Sequence, residues 1–562
     1  MNAAGPRARW IGLGFLALAL AGMFQAGLLF GGPLHHFDWL VHWHYYDWIR
    51  QGLQEHGTLP RFMVDAWHTT NFVANAQSPV LGPLVWLLAF LPTGVYVKLL
   101  IWLYTAIGAL GGYALARDLG ARPAVAACAA VLFTCSGFFA AHVAVGHHWS
   151  LGAYWLPLLL LCVRRGAAGS RGAWLGAAAI QAVTLLEGQH HPFLWQNGLL
   201  LGWAGLEWLR TRDPAALRAW AGSLLVGMAL AGVRVVPLLL EFAGYAPDDR
   251  IGGLPPGALG FALASRSQGP GTAGLGVVFA HGSGWWEYTF YLGIAGLTFV
   301  AVGLAGALRS QASLLGVGLV AGLLCLDTTG LGFDLWEGLR ELPVASSQRC
   351  PARLLVLFQF TAIFAAAAGW ERWLAAAAAG WERWLAGGAA GWERWLAGGA
   401  ARRWGGRGVD VVFGLLAALL AADLVSAARP WQAAAIGPAQ TARPHRMDDP
   451  VLAPEGSGTV TALERSPNRL RFRVESDRAA FLVFPLRWPS ERDAWLAEPF
   501  PTAATPTQLL AVRVPAGVNE VDLRYRTPGL RAGMALSVIA ALGVVGATLL
   551  RSRRPWGPEP PS

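Results

Sequence analysis

The strongest constraint on this chain is a recurrence of apolar runs long enough to cross a hydrocarbon layer, separated by short loops that carry arginine. A bilayer core takes about 17–25 apolar residues of helix. Runs at approximately 10–30, 94–116, 122–141, 149–163, 172–187, 193–209, 216–240, 286–308, 312–330, 351–368, 409–427 and 531–550 meet or approach that length. In lipid each spanning segment must satisfy its own backbone hydrogen bonds, which favours helices. Composition agrees: of 562 residues, 55% are hydrophobic and only 14% charged, with a mean hydropathy of +0.42. A soluble domain of this size needs more charge to cover its surface. The expected class is an all-α polytopic membrane protein of about twelve spanning helices. The run 149–163 is short and 79–91 reads as a re-entrant or interfacial helix, so the number of crossings is open by two.

A formal charge of +10 would suit a nucleic-acid partner if it were clustered, but the arginines are dispersed through the loops. That dispersal is the bias that orients membrane helices, and no nucleic acid is expected. Arg7 and Arg9 precede the first run, which has no convincing cleavage site and reads as a retained anchor with a cytoplasmic N-terminus. Alternate threading then puts Arg117/Arg122, Arg164/Arg165/Arg171, Arg210/Arg212/Arg218, Arg309, the segment 369–407 and Arg551/Arg553/Arg554 on the cytoplasmic side as well. The expected location is the inner (cytoplasmic) membrane, multi-pass, with both termini cytoplasmic. Five cysteines (128, 135, 162, 325, 350) show no metal-ligand spacing, and four lie in apolar runs as packing residues.

The expected organisation is a transmembrane domain over 1–427, an extracytoplasmic β domain over 428–530, a final helix at 531–550 and a cytoplasmic tail at 551–562. Within the first part, 31–80 is a first outside loop rich in His, Trp, Tyr and Asp, and 241–285 is a second long one. The segment 428–530 carries alternating stretches such as Leu470–Val474, Ala480–Phe484, Leu509–Val514 and Glu520–Tyr525 between Pro/Gly turns, the pattern of a small antiparallel β domain. Within 369–404, Gly-Trp-Glu-Arg-Trp-Leu-Ala occurs at 369–375, 380–386 and 391–397, a period of 11. That period sets the tryptophans in a slowly drifting stripe, as on a helix lying at the cytoplasmic interface. A repeat expansion in a tolerant loop is the plainer reading, and no chemistry is expected of it.

Ionisable groups at membrane depth are costly, so a cluster on one face is a functional hypothesis by default. The threading above gathers them on the outer side: His35 to His44 with Asp38, Asp65 and His68, His142, His147 and His148, Glu187, His190 and His191, Glu241, Glu287, and Arg349 with Arg353. Asp38, just past the first helix, could accept a proton from a hydroxyl, or could simply cap the amphipathic stretch 39–56. Asp65 could be a second carboxylate or a loop residue. Arg349 and Arg353 flank Pro351 at i, i+4 near a helix start, which suits a phosphate clamp; interfacial snorkelling is the alternative. The adjacent pairs His147/His148 and His190/His191 cannot each point both rings at one ion. A divalent metal shared between turns stays open beside hydrogen bonding to a sugar or phosphate.

Several pieces, in this order, resemble the YfhO-like family of bacterial membrane proteins, of the GT-C type of polyprenyl-phosphate-sugar-dependent glycosyltransferases. They are Leu59-Pro-Arg…Asn75-Ala-Gln-Ser-Pro-Val80, Gly146-His-His-Trp…Trp155-Leu-Pro157, Glu187-Gly-Gln-His-His-Pro192, Tyr291-Leu-Gly293, Gln348-Arg-Cys-Pro-Ala-Arg353 and Val514-Pro-Ala-Gly517. The repeat at 369–404 departs from the family, as does Phe484-Pro-Leu-Arg-Trp488, where a Pro-Gly-Trp turn is usual. The resemblance implies an inverting hexosyltransferase with a GT-C-like fold. Asp38 would be the general base, with Asp65 beside it. Arg349 and Arg353 would hold the lipid phosphate, and His147, His148, Glu187, His190, His191 and Glu287 would line the substrate cavity. The implied partners are the bilayer, a polyprenyl-phosphate sugar donor, and a cell-envelope acceptor that is a glycolipid, polymer or protein. Two other readings remain: a transporter or flippase of lipid-linked saccharide, favoured by Arg234 inside the run 216–240, and a scaffold that only presents the β domain.

Overall fold

The computed structural model describes residues 6–34, 38–64, 69–242, 252–266, 268, 285–329, 335–340, 348, 350–388, 400–436, 451–453, 458–487, 495–500, 502–504 and 509–552. Most of them are helical. In chain order the helices are α1 (Pro6–Phe24), α2 (Ala26–Phe30), α3 (Trp39–His56), α4 (Thr93–Asp118), α5 (Pro123–Thr134), α6 (Gly137–Ala144), α7 (Leu156–Ala167), α8 (Arg171–Leu186), α9 (His190–Thr211), α10 (Ala215–Leu230) and α11 (Gly232–Phe242). They continue as α12 (Leu259–Ala264), α13 (Gly293–Ala307), α14 (Ala312–Leu324), α15 (Leu335–Arg340), α16 (Leu355–Gly388), α17 (Ala400–Ala435) and α18 (Leu530–Ser552).

Among the described residues, six stretches are long and apolar enough to cross a membrane: Thr93–Asp118, Pro123–Ala144, Trp286–Ala307, Pro351–Ala376, Gly408–Ala435 and Leu530–Thr548. A seventh results if α10 and α11 count as one span, though they meet at an angle of 85°. The other apolar runs take different forms. The run 149–163 is split between a 3-10 helix, His148–Trp155, and α7. The runs starting at 10 and 312 give shorter apolar helices, Trp10–Phe24 and Ala312–Leu324. The stretch 79–91 holds a 3-10 helix over Val85–Ala89. The run 216–240 is not one helix: it breaks at Ala231, and Pro237 lies inside its second half.

The most apolar part of the span Pro351–Ala376 is almost wholly buried and forms the centre of the helical body, whereas that of Leu530–Thr548 is almost wholly exposed and lies at its edge. Small residues let helices approach where lipid offers no hydrophobic drive between them. A Cβ on Gly369 would overlap the Gly303 carbonyl, and a Cβ on Gly533 would overlap that of Gly232. These contacts seam α16 to α13 and α18 to α11.

The repeat does not begin a separate interfacial helix. α16 runs unbroken through its first copy to Gly388. Trp370 of that copy donates its indole N–H to Phe299 O at 2.9 Å and packs on Phe413, and Glu371 accepts from Arg122 Nε at 3.0 Å. The first copy is therefore part of the core packing. The third copy lies outside the described residues.

The β domain consists of two four-stranded antiparallel sheets. One has the order β4 (Gly458–Ser466), β5 (Arg469–Ser476), β10 (Gly517–Tyr525), β7 (Trp495–Glu498). The other has the order β3 (Val451–Ala453), β6 (Ala480–Arg487), β9 (Leu509–Val514), β8 (Thr502–Ala504). The period-2 pattern explains the layering: Leu470, Phe472 and Val474 of β5 are buried between the sheets while Arg471 and Arg473 project outward into pairs with acidic neighbours. Its start is later than 428, because α17 continues to Ala435. Nor does it hang from the last helix alone. Phe62, in the short strand β1 (Phe62–Val64) of the first loop, joins its core with its ring 4.7 Å from Tyr525. Asn468 accepts from Arg61 N–H at 2.7 Å and donates to Leu59 O at 3.1 Å.

Candidate functional site

One edge of the helical body is held by arginine–carboxylate pairs. Arg164 and Arg165 both bond Asp118, at 3.1 and 2.9 Å, and Arg122 joins the start of α5 to Glu371 on α16. The polar cluster sits at the other ends of these helices, next to the β domain.

It begins where α3 starts. The backbone N–H of Asp38 donates to Val145 O at 3.0 Å, and the Trp39 indole donates to Val143 O at 2.9 Å. This brings the turn after α6 under the start of α3. Gly146 (φ +89) makes the approach possible, since a Cβ there would overlap the Trp39 nitrogen. Asp38 occupies the cap position of α3, yet its side chain bonds none of the helix N–H groups. Instead Oδ2 lies 3.1 Å from His147 Nε2, with the Asp38 side chain 54% exposed and that of His147 only 7%. The capping alternative is thereby replaced by an imidazole partner.

The adjacent histidines 147 and 148 diverge, as their spacing requires. His147 Nδ1 meets His142 Nδ1 at 2.7 Å, and His148 Nδ1 meets His42 Nε2 at 3.1 Å. Burial, with His147 beside it, pulls the His42 imidazole down to about 3, so this ring is neutral. Among the described residues no three His, Cys, Asp or Glu side chains converge with metal-ligand geometry.

The wall behind His147 is an ion pair. Arg353 grips Glu287 through Nε and a terminal nitrogen at 2.6 and 2.5 Å, and both side chains are buried. The guanidinium also lies 4.5 Å from the Trp149 ring centroid. This contradicts two expectations. Arg353 is not free to clamp a phosphate, and Glu287 is not free to bind substrate, because each neutralises the other. A buried charge is retained only with such a partner. Trp149 meets His191 edge-on at 5.1 Å, and Gln348 Oε1 accepts from His191 Nδ1 and Trp195 Nε1, both at 2.9 Å.

Glu187 and His190 lie at the α8–α9 junction, one layer deeper. Glu187 is buried against Gly82, and the His190 ring lies tilted against that of His191 with centroids 3.8 Å apart. Arg234, at the α10–α11 break, donates to the carbonyls of Asn75, Ser78 and Leu186. It closes the break against the first loop and is not available to a ligand.

The structure thus brings Asp38, His147, His148, His191, Glu287 and Arg353 into one continuous cluster, with Glu187 and His190 behind it. Asp65 and Arg349 lie outside the described residues. Sequence reasoning gave no role to Trp149, Trp195 or Gln348, whose contacts depend on helix packing that spacing does not reveal. Fold and site together define a mostly helical, membrane-embedded protein with a buried histidine and ion-pair cluster that presents one carboxylate at its surface. No family model matches the chain, and comparison with curated proteins and with solved structures returns no similar chain.

Proposed function

We propose that the protein is a membrane glycosyltransferase of GT-C type that transfers a sugar from a polyprenyl-phosphate donor to a cell-envelope acceptor on the outer face of the bacterial inner membrane. The observation that carries this reading is the state of Asp38: exposed, yet fixed through one oxygen by a buried imidazole. A general base needs both properties, access to the acceptor hydroxyl and a set orientation. In the transfer, Asp38 takes the hydroxyl proton as the acceptor oxygen bonds the anomeric carbon, and the lipid phosphate leaves from the opposite side. The donor's phosphate partner is not Arg353 or Arg234, both of which are engaged within the protein; Arg349 is the remaining candidate from the sequence.

The transporter reading has one observation in its favour, the broken helix pair at Ala231, since broken helices mark many transport sites. The terminal nitrogens of Arg234 donate to backbone carbonyls there, which favours the enzyme. The test is a panel of polyprenyl-phosphate sugars offered to the protein in proteoliposomes, with transfer to acceptor and movement of donor between leaflets measured together. Transfer with release of lipid phosphate is expected; donor movement without transfer would establish the transporter instead.

A further inference from the structure

The contacts of His147 determine where its proton sits. An ionised carboxylate only accepts hydrogen bonds, so the nitrogen 3.1 Å from Asp38 Oδ2 is Nε2–H. In the neutral ring Nδ1 is then bare. His142 Nδ1, 2.7 Å away, must be the donor that fills it. His142 is left with a bare Nε2, which is buried and has no partner among the described residues. The reverse tautomers would set a lone pair against the carboxylate and bury an unsatisfied N–H at the same place. A doubly protonated His147 would also force that N–H inward, where nothing accepts it.

We infer that His142 is a positioning residue for Asp38. By fixing His147 as the Nε2–H tautomer it holds Oδ2 and leaves Oδ1 as the atom that receives the acceptor's proton. This rests on the transferase reading. The acceptor O–H bond breaks as its oxygen bonds the anomeric carbon. The pair of the anomeric C–O bond departs with the lipid phosphate, and the proton goes to Oδ1; nothing passes through His142. The charged and titratable groups facing the imidazole pair are Asp38 at the cap of α3 and His42 within it, His148 of the 3-10 helix, Glu287 before α13, Arg353 before α16 and His191 from α9. The Glu287 and Arg353 charges cancel, so the tautomer is set mainly by the direct hydrogen bonds.

An asparagine amide nitrogen can stand where Nδ1 stands, so His142→Asn should stay within about threefold of wild-type kcat, the scale of a retained hydrogen bond. His142→Phe keeps the ring but not the donor. Its kcat should fall by up to about 10²-fold with KM little changed, the cost of a misdirected group. In a His147→Gln background the amide donates to Asp38 without help from His142, so adding His142→Phe should cost nothing more. An additive loss in that cycle would overturn the inference. A second readout does not need activity: nitrogen-15 magnetic resonance of histidine-labelled full-length protein, assigned with His147→Gln. Nε2–H with bare Nδ1 at His147 is expected, becoming a tautomer mixture in His142→Phe. Nδ1–H at His147 in the wild type would overturn the inference whatever the transfer rate. The expected tautomer in a protein that transfers no sugar would instead sink the functional reading.

Discussion

Arg353 and Glu287, which the sequence offers as separate binding groups, form one buried ion pair. Their cost at membrane depth is visible in the sequence, but their pairing is not, because 66 positions separate them. Bidentate geometry and a stacked Trp149 make Arg353 a poor site for lysine. Arg353→Lys should lower the thermal stability of the detergent-solubilised protein while the folded fraction keeps its donor affinity. Arg353→Ala should cost about 3–5 kcal/mol by leaving Glu287 buried without a partner. A weakened donor dissociation constant in the lysine variant, without loss of stability, would restore the phosphate-clamp role. Asp38 and the histidines were readable for the same reason of cost. That Asp38 holds His147 and not its own helix depends on Gly146, whose positive φ sequence spacing does not disclose.

At the scale of elements, period and polarity carried most of the information. The amphipathic stretch 39–56 is α3, and the alternating segments of the C-terminal part are strands of two sheets. Breaks were harder to read: Gly232 and Pro237 weaken the helix near Ala231, but neither discloses a bend as large as 85°. The repeat copies look alike in sequence, and spacing does not disclose that Trp370 of the first packs between α13 and α17. Trp370→Ala should therefore destabilise the protein by about 3–5 kcal/mol, read as a lower unfolding temperature. An unchanged unfolding temperature would contradict that packing. In the β domain, hydrogen bonds from Arg469, at 2.9 and 2.6 Å, and then from Arg524 hold the Asp522 carboxyl down at about 2. Its folded value lies below the unfolded one of roughly 4, so the stabilisation is full above that range and is lost as pH falls toward about 2. Asp522→Asn should flatten the stability profile between those limits, and an unchanged acid profile would show that the pair contributes nothing.

In the whole molecule, the arginine–carboxylate edge and the histidine edge lie at opposite ends of the same helices, and the β domain is fixed to the latter through Phe62 and Asn468. Charge bias in the loops made that polarity legible; the docking of the β domain, carried by one phenylalanine and one asparagine, was not. Single cysteines at 38 and 165 should label from opposite sides of sealed vesicles, with 38 outside, and labelling of both from one side would break the one-edge arrangement. The role given to Asp38 is tested most directly by single-turnover sugar transfer with Asp38→Asn, which keeps the shape of the side chain and removes the base. Transfer slowed by about 10²–10⁴-fold, with donor binding and unfolding temperature unchanged, is the expected result. Turnover near that of the wild type would contradict it.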